Sequence, residues 1–227
     1  MPVSKTAIIA AMPQELAPLV RGWSAIRITM QNREVRLWES EQAIAACGGI
    51  GMISARIAAE AVWQHSKGSV REFISAGYAG ALIPEFKVGE VFIPEEIVES
   101  VDDQRLRTVS GSGILVTAGA IAGGDQKRSL AKNYLARAVD MEAFGVGDVA
   151  RVYKVPFRVI KAISDELDFP MPPMGQFVDA QGQFHTSRLL LYAALRPSVW
   201  PVLAALGRNS AKAGAALTEA LAQAIHQ

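Results

Sequence analysis

The chain has 227 residues, half of them hydrophobic and a fifth charged, with a formal net charge of +1. That fits one large α/β domain with a sizeable core and excludes a globally disordered chain. With neither a basic block nor an acidic tail, nucleic acid is not an expected partner, because duplex binding needs clustered Lys and Arg.

From the N-terminus, MPVSKTAIIAAM holds an apolar run too brief for a signal peptide before it meets PQE. Strands are predicted at Thr6 to Ala11, Glu34 to Trp38, Ala43 to Cys47, Val70 to Ser75, Val91 to Pro94, Ile114 to Thr117 and Phe157 to Ile163. Helices are predicted at Met52 to Gln64, Met141 to Tyr153, Ser187 to Leu195 and Ser210 to Ile225. Loops are expected at Val101 to Gly113 and Asp168 to Phe184. Several strands are apolar throughout, as they are when helices cover both faces of a sheet. Alternating strands and helices predict a three-layer α/β/α fold around a mixed, mostly parallel twisted sheet. The whole chain, 1–227, reads as one domain with an apolar helical extension from about residue 187.

The single Cys47 excludes an internal disulfide framework, suits a reducing, cytoplasmic setting, and reads as a buried packing thiol. Gly48-Gly49-Ile50-Gly51 opens a helix but lacks the third glycine of a dinucleotide fingerprint, and reads as a tight turn. No run reaches the ~18 apolar residues of a membrane span. The nearest, Leu189 to Leu206, is interrupted by Arg196, Pro197 and Pro201 and predicts two short helices meeting at a proline corner. His65, His185 and His226 are scattered, so no metal site and no cofactor is expected.

Three acidic residues stand where strand ends converge in such a sheet. Glu15 follows the first strand, Glu142 opens a helix, and Asp165 ends the strand FRVIKAISD. Any one of them reads equally as a helix cap or a solvated surface carboxylate. The glycine cluster Gly77-Tyr78-Ala79-Gly80 lies past the predicted end of its strand and reads equally as a turn or as a pocket wall, where small residues let a flat ligand approach the backbone.

The segments IIAAMPQE, FISAGYAGALIPEFKVGEVFIPEE and VDMEAFGVGDVARVYKVPFRVIKAISDELD resemble the nucleoside phosphorylase superfamily, nearest its methylthioadenosine/S-adenosylhomocysteine nucleosidases. The resemblance runs from about Ala7 to Asp168. It implies a phosphorylase/hydrolase-like fold and release of adenine from a 5′-substituted adenosine. It also implies roles: Glu15 activates the attacking water; Met141 and Glu142 hold the ribose; Asp165, oriented by Ser164, protonates the purine at N7. Gly77, Tyr78, Ala79 and Gly80 would lie beside the base, and Ile121 and Ala122 would wall the adenine slot. A homodimer is implied as well.

The chemistry is coherent. Breaking the C1′–N9 bond builds positive charge on the sugar and negative charge on the base. A carboxylate near the sugar, an acid at the base and a base for water meet those needs. Asp165 is expected to hold its proton near neutral pH, through burial.

The chain also departs from the family pattern. No arginine precedes Arg21 in the first loop, which favours water over phosphate as nucleophile. Tyr78 replaces the usual serine, Lys161 the usual arginine, and the stretch between Glu99 and Ile114 is short, which predicts an open 5′ end. The tail motif RP-x-x-WP…LGR-x-S is similar to that of hopanoid-associated members, which release adenine from adenosylhopane. It implies that residues 189–206 face a lipid-like substituent or a membrane surface. Two other readings stay open: a phosphorylase drawing arginines from Arg33, Arg36 or Arg56, and a catalytically inactive nucleoside-binding protein.

Overall fold

The computed structural model of the chain describes residues 4–179 and 181–225; His226 lies outside the described residues. Its centre is a mixed sheet. Strands β1 (Lys5–Ala10), β2 (Ser24–Met30), β3 (Arg33–Glu39), β4 (Ala43–Cys47) and β5 (Val70–Ala81) form the first half. Strands β6 (Val91–Phe92), β7 (Glu96–Glu99), β8 (Arg105–Arg107), β9 (Ile114–Thr117), β10 (Ala138–Asp140) and β11 (Phe157–Asp165) form the second. The middle is parallel: β1 pairs with β4 and β5, and β5 with β11. Antiparallel pairs close the edges, β2 with β3 and β7 with β8.

Burial on both faces explains why the central strands are apolar without alternation. In β1, Ala7 and Ile9 pack into one layer with helices α2 (Met52–His65) and α4 (Ala143–Tyr153). Ile8 and Ala10 face the opposite layer, where the last helix, α6 (Trp200–Ile225), lies. Only the second half of α6 packs on the sheet. Ala213, Leu217, Leu221 and Ala224 recur at helical spacing on its buried stripe. Each leucine there contributes roughly 1.5–3 kcal/mol by leaving water.

The structure corrects several sequence expectations. The run Gly77 to Gly80 is not a loop beyond a strand: β5 continues unbroken to Ala81. It can, because it changes partner as it goes, pairing with β1 and β11 and then, at Gly80 and Ala81, with β10. The predicted loop 101–113 contains β8, a short hairpin partner of β7. Strands β2, β7 and β10 and helix α3 (Gly124–Tyr134) were not predicted. Helix α4 starts at Ala143, with Glu142 as its N-cap, two residues later than expected.

The two tail helices do meet at a proline corner. Helix α5 (Thr186–Ala194) and the segment from Pro197 cross at 115°, and Trp200 Nε1 donates to Ala193 O at 2.7 Å across the corner. The second helix runs to Ile225 without the expected break, since Pro201 sits in its first turn, where a missing N–H costs nothing. No single described helix is long and apolar enough to cross a membrane. Cys47 is buried, and the Gly49–Gly51 turn is a tight strand-to-helix connection with both glycines at positive φ, as expected.

Helices α2 and α4 approach closely through Gly145, where an added Cβ would lie 2.2 Å from the Met52 carbonyl oxygen. Gly145→Ala is therefore expected to cost about 1–3 kcal/mol by overpacking. Denaturant unfolding checks this, and an unchanged midpoint would contradict the packing described.

Candidate active site

A cavity of about 410 Å³ opens beyond the carboxyl ends of β1, β5, β10 and β11, the edge where open α/β sheets bind ligands. Its polar end carries Glu15, Tyr78, Asp140, Glu142, Ser164 and Asp165. Its apolar lining includes Met171, Met174, Phe184, Leu189, Leu203 and Leu206.

Glu15 is delivered by a single helical turn, α1 (Pro13–Leu16), directly after β1. Pro13 presets the first helical φ. Glu15 then bonds back, accepting from Met12 N at 2.7 Å through Oε2 and from Tyr78 N at 3.1 Å through Oε1. Burial raises its pKa above the ordinary glutamate value, against those hydrogen bonds and the nearby Lys161 charge. Glu142, at the start of α4, accepts from Gly51 N at 2.9 Å, which ties it to the turn ahead of α2. Burial pushes its pKa up to about 7; Lys161 opposes the rise, and Asp140 and Glu15 add to it.

Between these groups lies Lys161, fully buried on β11. Its Nζ is 2.8 Å from Asp140 Oδ2 and donates to Ala76 O at 3.1 Å. Burial alone would lower its pKa, but Asp140, Glu142 and Glu15 more than compensate and raise it. Asp140 is held in turn by Thr117 Oγ1 at 2.7 Å and by Ala143 N at 2.8 Å.

Asp165 ends β11. Its Oδ1 accepts from Ser164 Oγ at 2.7 Å, and its Oδ2 is in contact with Lys127 Nζ from α3. Asp165 thus has a buried lysine set against it as well as Ser164. Lys127 was missed by the sequence reading. Its signal was its position, one turn ahead of the buried Leu130 on the inward face of α3. Asp140 was also missed, although it stands next to the Met141-Glu142 pair.

All the sequence-predicted residues line the cavity except Gly77: Glu15, Tyr78, Ala79, Gly80, Ile121, Ala122, Met141, Glu142, Ser164 and Asp165. Gly77 acts one step back. Its φ is +131°, and a Cβ there would lie 2.8 Å from Glu15 Oε1, so glycine makes room for the carboxylate. Tyr78 lies against the cavity with its hydroxyl beside Gly214 of α6. Burial, and then Glu15, push its pKa up to about 12, so it stays neutral. His185 pairs with Asp179 at 2.9 Å and does not line the cavity. Nor does any residue between Glu99 and Ile114, or any arginine among the described residues. Arg33 bonds Ser54, Arg36 lies near Glu34, and Arg56 pairs with Asp148.

Comparison with known proteins agrees with this geometry. Residues 5–112 and 104–188 match the family described as Phosphorylase superfamily. The aminodeoxyfutalosine nucleosidase of Helicobacter pylori is 23% identical over 203 residues, 73% of this chain and 87% of that protein. Its Campylobacter jejuni counterpart is 23% identical over 198 residues, covering 71% and 86%. Among solved structures, the H. pylori 5′-methylthioadenosine/S-adenosylhomocysteine nucleosidase aligns with a TM-score of 0.72 at 15% identity, covering 98% of both chains. The S-adenosylhomocysteine nucleosidase of Streptococcus pyogenes gives 0.70 at 18% identity, covering 97% and 95%.

Removing Lys161 would leave Asp140 uncompensated in the interior. Lys161→Met is expected to destabilise the fold by about 3–5 kcal/mol, read from the denaturant midpoint. A loss below about 1 kcal/mol, the range of exposed pairs, would show that the pair is not the buried anchor described.

Proposed function

The chain belongs to the phosphorylase superfamily, and we propose that within it this protein is a nucleosidase: it hydrolyses the N-glycosidic bond of a 5′-substituted adenosine and releases adenine. One observation carries the reading. Glu15, Glu142 and Asp165, far apart in sequence, line one cavity at the strand ends.

In this reading the adenine lies along Ala79, Gly80, Ile121 and Ala122, with Asp165 and Ser164 at its N7 edge. Met141 packs under the ribose and Glu142 accepts its hydroxyls. Glu15 takes a proton from the water that attacks C1′. As the bond breaks, positive charge grows on the sugar among the buried side chains of Glu15, Asp140 and Glu142, which stabilise it. The same cluster disfavours an anionic nucleophile. Lys127 is the only cationic side chain on the lining among the described residues, and Asp165 already engages it. Water is thus favoured over phosphate, and retention of all three acidic groups speaks against an inactive binding protein.

The 5′ end of the substrate would meet the apolar wall of the tail helices. Leu189, Leu203 and Leu206 face the cavity, while Leu190, Leu191, Leu195 and Trp200 are exposed on the same corner. That arrangement supports an apolar 5′ substituent, with adenosylhopane the case the tail motif resembles, and contact of the corner with a lipid surface. The reading also takes the chain as one domain acting as a cytoplasmic homodimer. Light scattering tests the dimer.

Adenine release is the direct test. Release from 5′-methylthioadenosine or a long-chain 5′-alkylthioadenosine is expected without phosphate, and Asp165→Asn should reduce kcat by roughly 10²–10⁴-fold. Release only with phosphate would make the protein a phosphorylase. The long-chain substrate should show the higher kcat/KM; efficient cleavage of methylthioadenosine alone would remove the apolar-substituent reading.

Acid should impair the free enzyme. Glu15 and Glu142 act as carboxylates, and both have raised pKa values, that of Glu142 near 7. Their working form is present above those values and lost as pH falls through them. kcat/KM should therefore decline as pH is lowered through about 7. A profile flat down to about pH 5, near the reference value of a free glutamate, would contradict the assignment.

A further inference from the structure

The contacts of Asp165 pose a problem for the reaction just proposed, on which this inference rests. Both carboxyl oxygens already accept: Oδ1 from Ser164 and Oδ2 from Lys127. Asp165 thus meets a donor at each oxygen, one of them a lysine. Yet departure of the base calls for a proton at the ring nitrogen.

Lys127 is built into this place. It is 1% exposed, an extreme burial for lysine. Besides Asp165 Oδ2, its ammonium reaches Glu166 O at 2.8 Å and Asp165 O at 3.4 Å, so its donors are all directed at the end of β11. The strand opposite leaves room for the pair. A Cβ on Gly80 would lie 2.9 Å from Asp165 Oδ2 and 3.0 Å from Lys127 Cε. Gly80 is not at positive φ, so what it supplies is space. The same lysine lines the cavity.

We propose that Lys127 is the proton store of the general acid: its ammonium passes a proton to Asp165, which hands that proton on to the ring nitrogen of the departing base. The step balances. The C1′–N9 electron pair leaves with the base, which gains one proton by way of Asp165, and that proton is the one Lys127 gives up. The water oxygen bonds C1′ and loses a proton to Glu15. Lys127 ends as a neutral amine and Glu15 as a neutral acid, and exchange with solvent after product release restores both. Lys127 acts through Asp165 and is in this sense a positioning residue with a proton to lend.

Two substitutions separate charge from proton. Lys127→Arg keeps a cation against Asp165, but a guanidinium does not give up its proton. Lys127→Met removes both, leaving Asp165 to take its proton from solvent. The experiment measures pH profiles of kcat and kcat/KM for adenine release from 5′-methylthioadenosine and 5′-decylthioadenosine, for wild type and both variants. Lys127→Arg is expected to lose kcat by roughly 10²-fold or more across the whole range. Lys127→Met should also lose kcat, and its alkaline limb should move down by about one pH unit or more.

A Lys127→Arg enzyme with wild-type kcat, or a Lys127→Met enzyme with an unmoved alkaline limb, would overturn the proposal, because a purely structural lysine predicts both. If Lys127→Met does not fold, Lys127→Arg decides alone. A wild-type protein that releases adenine from neither substrate would instead remove the nucleosidase reading, and this inference with it.

Discussion

Lys161 carries its charge into the middle of the sheet, where Nζ meets Asp140 Oδ2 at 2.8 Å with both side chains wholly out of solvent. An isolated ion in such a place costs several kcal/mol, so the pair exists only because each member offsets the other and neighbouring hydrogen bonds satisfy the rest. Around it, Glu15, Asp140, Glu142 and Asp165 are buried acids, while Lys161 and Lys127 are the buried cations among the described residues. Burial raises both Glu15 and Glu142, the latter to about 7, and the surplus of acid over cation adds to the rise at Glu142. That surplus also makes the cavity a place where a cationic sugar is stabilised and an anion is not.

The sheet is arranged to bring these groups together. Strand β5 serves as the partition, with Gly77 opposite Lys161 and Gly80 opposite Asp165 in register with β11. At Gly77 a side chain would collide with Glu15; at Gly80 it would collide with the Asp165–Lys127 pair. Two glycines in one continuous strand thus set the depth of both ends of the acidic cluster. Glycine weakens a strand interior by roughly 0.5–1 kcal/mol relative to alanine. Pairing of β5 with β1, β10 and β11 offsets that loss.

Glu15, Glu142 and Asp165 were legible in the sequence because each closes a motif at a strand end, and an α/β sheet gathers such ends on one edge. The layered fold was legible because the apolar strands and the Ala213–Ile225 stripe have unmistakable periods. Strand β2 was not: SAIRITM alternates polar and apolar residues weakly and owes its conformation to pairing with β3. Strands β8 and β10 span three residues each, too few for a period to register. Lys161 was noted only as a replacement for an arginine, and Lys127 was passed over. A lysine inside an otherwise apolar strand, or on the inward stripe of a helix, is a conflict between levels. Such conflicts mark functional or strained positions more often than surface ones. The Gly77–Gly80 run misled for a related reason, since its small residues signal a turn but here signal close approach of side chains from neighbouring strands.

The apolar tail and the acidic cluster line one cavity, a composition that suits a molecule with a polar and an apolar part. The account stands on where such a molecule lies. A crystal structure with a non-hydrolysable 5′-alkylthioadenosine analogue tests this most directly. The account predicts the N7 edge of the base at hydrogen-bond distance from Asp165, ribose hydroxyls on Glu142, a water between Glu15 and C1′, and the alkyl chain against Leu189, Leu203 and Leu206. An analogue seated with its ribose away from Glu142, or its base away from Asp165, would contradict it.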